Sequence, residues 1–178
     1  MGHLVLSAVG ADRPGIVSAV TAELVELGCN LEDTAMTVLR GRFAMVLVLA
    51  APDTVGPAEV EAALAPVAER LDLAVWVHPV GESVPAAPEG EPWTVSVHGS
   101  DHPGIVHRVT AVLAAVGADI VDLSTRVIGP EDDPVYAMVL EVLVPEGVDG
   151  PALAASLERL GSEIGVACSM HPAGADLL

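Results

Sequence analysis

Lysine is absent from this 178-residue sequence, and its aromatic side chains are confined to Phe43, Trp76, Trp93 and Tyr136. The seven cationic side chains are all arginines, set against 25 Asp and Glu, so the chain carries a formal charge of −18. A protein that grips nucleic acid directly displaces counterions with a basic surface and stacks bases on aromatic rings. Neither resource is present, and nucleic acid is excluded as an expected direct partner. The same shortage of cations argues against docking on anionic lipid. No apolar run reaches the roughly 20 residues of a membrane-spanning helix, and Met1-Gly2-His3-Leu4 lacks the basic region of a secretory signal. A cytoplasmic location is expected. Cys29 and Cys168 fall at non-equivalent points of the repeat described next, so they predict buried apolar thiols rather than a disulfide framework or a zinc cluster.

Hydrophobic residues are plentiful at 52%, enough for a buried core, and they are organised twice over. Gly10-Ala11-Asp12-Arg13-Pro14-Gly15-Ile16-Val17 returns as Gly99-Ser100-Asp101-His102-Pro103-Gly104-Ile105-Val106, an offset of 89 (12 to 101). Val20, Thr21, Leu24, Gly28 and Asp33 follow at the same offset as Val109, Thr110, Leu113, Gly117 and Asp122. Past an acidic insertion at Gly129 to Pro134 the offset becomes 93 (78 to 171), matching Phe43-Ala44-Met45-Val46-Leu47 with Tyr136-Ala137-Met138-Val139-Leu140 and His78-Pro79 with His171-Pro172. The organisation expected is a first module over 1–79, a Pro/Gly/Glu linker over 80–92, a second module over 93–172 and a tail over 173–178.

Hydrophobic period orders the elements within each copy. Leu4 to Val9 and its twin Trp93 to His98 predict strands closed by Gly10 and Gly99. Ile16, Val17, Val20, Leu24 and Leu27 lie on one helical face stopped by Gly28, and the second copy repeats the pattern up to Gly117. A hairpin follows around Arg40-Gly41-Arg42, then a second helix (Val60, Leu64, Val67, Leu71) and a last strand (Val75 to His78). The order β-α-β-β-α-β defines an α+β class: two ferredoxin-like sandwiches in tandem, each four antiparallel strands with two helices on one face. Phe43 to Leu49 is apolar at every position, whereas a sheet with one wet face should alternate, so the second face is expected to be covered by the other module or by a second chain, a homodimer that uses both contacts being favoured.

Chemistry is sought at the repeated loop. Asp12 is expected to cap the first helix by accepting the Gly15 N–H, with Pro14 tolerated in the first turn and Gly15 allowing close approach to the backbone. The N–H groups of Gly15-Ile16 and Gly104-Ile105 suit a carboxylate, while Asp12 and Asp101 would repel a simple anion. A zwitterion satisfies both, its ammonium facing the aspartate and Asn30 or Asp119 contributing from the next strand.

Val9-Gly10-Ala11-Asp12-Arg13-Pro14-Gly15-Ile16-Val17 followed by Gly28-Cys29-Asn30-Leu31 resembles an ACT domain, and Asp101, Pro103, Gly104, Gly117, Asp119 and Ile120 resemble it again. ACT domains are small regulatory modules that sense amino acids in metabolic enzymes. Two of them without a catalytic domain resemble the glycine cleavage system transcriptional repressor group. The resemblance implies a non-catalytic regulator that binds a small amino acid and acts on a protein partner, with no cofactor. It marks Gly10, Asp12, Arg13, Pro14, Gly15, Ile16 and Asn30 as ligand-binding candidates in the first copy. Gly99, Asp101, His102, Pro103, Gly104, Ile105 and Asp119 are their counterparts. His102 in place of Arg13 and Asp119 in place of Asn30 depart from the pattern, which makes the first copy the favoured site. The alternative is a structural dimerisation module without a ligand. His98, His102 and His107 cluster in sequence, but His102 and His107 stand five apart with no third ligand at metal spacing, and no nucleophile–base arrangement stands out, so neither a metal site nor an enzyme is expected.

Overall fold

The computed structural model describes residues 2–81, 89–130 and 134–174. The chain divides into two compact units, Met1–Pro85 and Ala86–Leu178. The first contains β1 (Gly2–Ala11), α1 (Ile16–Glu26), β2 (Asn30–Leu39), β3 (Arg42–Ala51), α2 (Pro57–Leu71) and β4 (Leu73–Pro79). The second contains β5 (Glu91–Ser100), α3 (Ile105–Ala115), β6 (Asp119–Ile128), β7 (Val135–Val144), α4 (Gly150–Ile164) and β8 (Val166–Pro172). Both sheets are antiparallel, ordered β2-β3-β1-β4 and β6-β7-β5-β8. This is the ferredoxin-like α+β sandwich, built twice. Most of the stretch read as a linker, 82–88, lies outside the described residues, as do the acidic positions 131–133 of the insertion and 175–178 of the tail.

Alternation along the strands builds each core. Leu4, Leu6 and Ala8 of β1 and Phe43, Met45, Leu47 and Leu49 of β3 are buried against Ile16, Val20 and Leu24 of α1 and Val60, Leu64 and Val67 of α2. The second core repeats this with Val95, Val97, Met138, Leu140, Ile105, Val109, Leu113, Leu153 and Leu157. Cys29 and Cys168 belong to these cores, and burial pushes both thiols above their ordinary pKa. The edge strands β2 and β6 are exposed along almost their whole length.

The first strand does not stop at Gly10. It runs on to Ala11, opposite Arg42, because Gly10 is a packing glycine inside the strand: a Cβ there would sit 2.6 Å from the Asp72 carbonyl oxygen and from Leu73. The β2–β3 turn places both Arg40 (φ 50°) and Gly41 (φ 77°) in the left-handed region, the two-residue geometry whose twist matches that of the flanking strands.

A candidate ligand loop at the start of each first helix

The loop after β1 differs from the expectation in how its helix begins. Gly15, not Asp12, is the N-cap of α1: it holds φ 91° and no side chain caps the helix. Asp12 instead uses its backbone N–H, which donates to the Gly41 carbonyl at 2.8 Å and ties the loop to the hairpin turn. The physical reason is the left-handed Gly15, which redirects the chain between Asp12 and the first turn. The second loop has the same form, with Gly104 at φ 99° as an N-cap and no side-chain cap from Asp101. The first-turn N–H groups of each helix therefore lack side-chain partners, and the Asp12 carboxylate is not consumed by capping. Asp12, Arg13, Pro14 and Gly15 are exposed, while Ile16 is buried and anchors the helix in the core. A Cβ on Gly15 or Gly104 would meet nothing within 4 Å, so both glycines border open space.

Two candidates do not join the loop. Asn30 pairs with Ala50 near the end of β3, whereas the loop leaves β1 at Ala11, opposite Arg42. Eight residues of β3 separate these points, about 27 Å at about 3.4 Å each. Asp119 is equally remote, opposite Leu143 while Ser100 lies opposite Val135. The expectation that Asn30 or Asp119 contributes to the ligand bound by its own module is thus corrected: a strand that runs the length of the sheet separates its start from the loop. Gly10 and Gly99 are in addition packing positions, Gly99 because a Cβ would come within 3.0 Å of Val166.

His102 differs from its counterpart Arg13 in being engaged. Its Nε2 donates to the Ile164 carbonyl at 2.7 Å, joining the second loop to the end of α4, and its Nδ1 lies 3.3 Å from the Pro103 carbonyl. Close by, burial and then the Asp101 charge hold the Tyr136 hydroxyl above its ordinary pKa. The first module has Phe43 there instead. Among the described residues no group of three His, Cys, Asp or Glu is placed to hold a metal.

The fold gathers four of the seven arginines. Arg13 in the loop, Arg40 and Arg42 at the hairpin turn and Arg70 in the last turn of α2 all stand at the loop end of the first module. Among the described residues of this module, only the carboxylates of Asp12, Glu69 and Asp72 accompany them there. Glu23, Glu26, Glu32, Asp33, Asp53, Glu59 and Glu61 stand nearer the far end, without an arginine. The Arg40-Gly41-Arg42 turn was visible in the sequence. Its position beside the loop depended on the register of β1 on β3, which no local pattern reveals.

A tandem ferredoxin-like pair with an uncapped glycine-started helix in each half defines the class. An ACT-domain profile matches residues 2–78 and a second matches residues 93–160, so this chain belongs to the ACT-domain family and carries two copies of the domain. It is similar to the glycine cleavage system transcriptional repressor of Escherichia coli, with 26% identity over 171 residues covering 95% of this chain and 89% of that protein. Among solved structures, an unknown protein from Galdieria sulphuraria superposes with a TM-score of 0.81 at 27% identity, covering 96% of this chain and 98% of that one. A putative glycine cleavage system transcriptional repressor superposes with a TM-score of 0.71 at 22% identity, covering 96% of each, which supports the shared fold.

Proposed function

We propose that the chain is a non-catalytic, amino-acid-responsive regulator that takes a small free amino acid at the β1–α1 loop of its first domain. The observation that carries this reading is the α1 N-terminus itself: exposed, without a side-chain cap, and set among Arg13, Arg40 and Arg42 in a chain of net charge −18. The first-turn N–H groups and the partial positive charge of the helix start receive the ligand carboxylate. Asp12 receives its ammonium. The second loop is a poorer site because His102, in place of an arginine, is already bonded to α4. Asn30 could contribute only from a second ACT module.

Glycine heads the ligands to test, since the Escherichia coli relative is named for glycine cleavage. In a thermal-shift screen of the free amino acids, one of them at 100 times its Kd stabilises the fold by about 2.7 kcal/mol. For a module of this size that raises Tm by on the order of 10 °C. Gly15→Val abolishes the shift and Asp12→Ala weakens it. If no amino acid at millimolar concentration moves Tm, this reading falls and the ligand-free dimerisation module takes its place.

Regulation is proposed to run through a protein partner. The four arginines at the loop end meet three carboxylates there and many more elsewhere, too small an excess to displace phosphate counterions. Mobility-shift assays at physiological salt should then detect no binding of duplex DNA by the purified protein, and tight, salt-sensitive binding would overturn that assignment.

A further inference from the structure

The open face of the first sheet, the side away from α1 and α2, holds apolar residues that the core does not use. Val5 and Val9 of β1, Val46 and Val48 of β3 and Trp76 of β4 share that face through the strand register. Val9, Val46 and Trp76 are 42%, 46% and 51% exposed. The second module is the internal comparison. Thr94 replaces Val5, His98 replaces Val9, Glu141 replaces Val48 and Ser169 replaces Trp76, with Val139 alone unchanged. Glu141 also stands directly opposite Asp122, so covering that face would press two like charges together out of water. In the first module the same place pairs Val48 with Asp33, a single carboxylate on the edge strand.

We propose that the open sheet face of the first domain packs on the same face of a second copy of this chain, while the corresponding face of the second domain stays in water. Charge selects the surface: two chains of −18 approach at least cost where the inner strands carry no carboxylate. Size permits it. Three ten-residue strands and the seven-residue β4, about 4.8 Å apart and rising about 3.4 Å per residue, give a face of about 600 Å² per copy. Two such faces reach the lower bound of about 1,200 Å² for a specific interface. Identical faces related by a two-fold axis close the assembly, and two sheets pack about 10 Å apart as in a β-sandwich.

The test compares the full chain with the double variant Val5→Thr, Val48→Glu, which installs residues the sister domain already tolerates. Light scattering reads the mass, and collisional quenching reads Trp76, because Trp93 is buried. The wild type should have twice the mass of the variant, its Trp76 should be shielded, and dilution should expose it. Val139→Glu on the second face should leave the mass unchanged. Equal masses for wild type and double variant overturn the proposal. So does a wild type of monomer mass, whether Trp76 is shielded by something within the chain or open to solvent.

Discussion

The first domain meets its open side with Val9, Val46 and Trp76, and the second meets it with His98, Val139 and Ser169. Beneath those faces part of each core is shared: Met45 and Leu47 repeat as Met138 and Leu140, and Ile16, Val20 and Leu24 as Ile105, Val109 and Leu113, while Leu4, Val60 and Val77 give way to Trp93, Leu153 and Met170. A core accepts apolar exchanges provided that total volume and pattern are kept, so both interiors remain apolar at the same positions. Surfaces carry no such constraint. The loops diverged as well, one keeping a free arginine and the other a histidine bonded to α4. One fold therefore presents two surfaces, and only one of them combines an apolar face with a basic loop end.

The comparison can be broken first at its strongest point, the shared core. Leu47→Ala and Leu140→Ala, both at fully buried positions, should each destabilise their own domain by about 2–5 kcal/mol. Chemical denaturation followed through Trp76 for the first domain and Trp93 for the second checks this. Loss in the untouched domain would show that the units are not independent.

A smaller effect separates the domains at one helix–strand contact. Gly161 of α4 lies so close to β8 that a Cβ would come 2.7 Å from the Val166 carbonyl oxygen and 3.0 Å from the Cys168 nitrogen. Its counterpart in the first domain is Ala68. Gly161→Ala should cost the second domain about 1–3 kcal/mol through overpacking, while Ala68→Gly should cost the first only about 0.5–1 kcal/mol in helix propensity. Equal costs would mean that the two helices approach their sheets alike.

The smallest expected difference is alkaline. Cys29 and Cys168 are raised by burial above an ordinary value of 9.0, and Tyr136 is raised above 10.0 by burial and then by Asp101. Well below pH 9 these groups are protonated in both states and contribute no pH dependence. As pH rises past their unfolded-state values the unfolded chain loses protons first, so folded stability falls. The second domain, with Tyr136 as well as a thiol, should weaken more steeply above pH 10 than the first, which has Phe43. Denaturation midpoints across pH 8–11 check this, and Tyr136→Phe should remove the excess.

Much of the fold could be read from the repeat. An offset that holds across Asp12/Asp101 and, after one insertion, across His78/His171 gives two domains, and apolar spacing gives helices and strands in order. The site was legible only in part, because its geometry depends on register. Asn30 lies one turn beyond α1 in sequence, yet the length of β3 separates it from Asp12. Arg42 is distant in sequence and stands opposite Ala11. Asp12 had the residue type of a helix cap, but Gly15 at φ 91° took that position. Each difference lies in three-dimensional pairing or in a dihedral angle, which composition and periodicity do not encode.

The central claim, that an amino acid is read at the first domain's loop and not the second's, is tested most directly by amide NMR of the full chain titrated with glycine and then the other free amino acids. The account predicts saturable shifts of the Gly15, Ile16 and Val17 amides together with Gly41, whose carbonyl holds the loop, while Gly104, Ile105 and Val106 remain in place. Shifts confined to the second loop, or none at either loop for any amino acid at millimolar concentration, would contradict it.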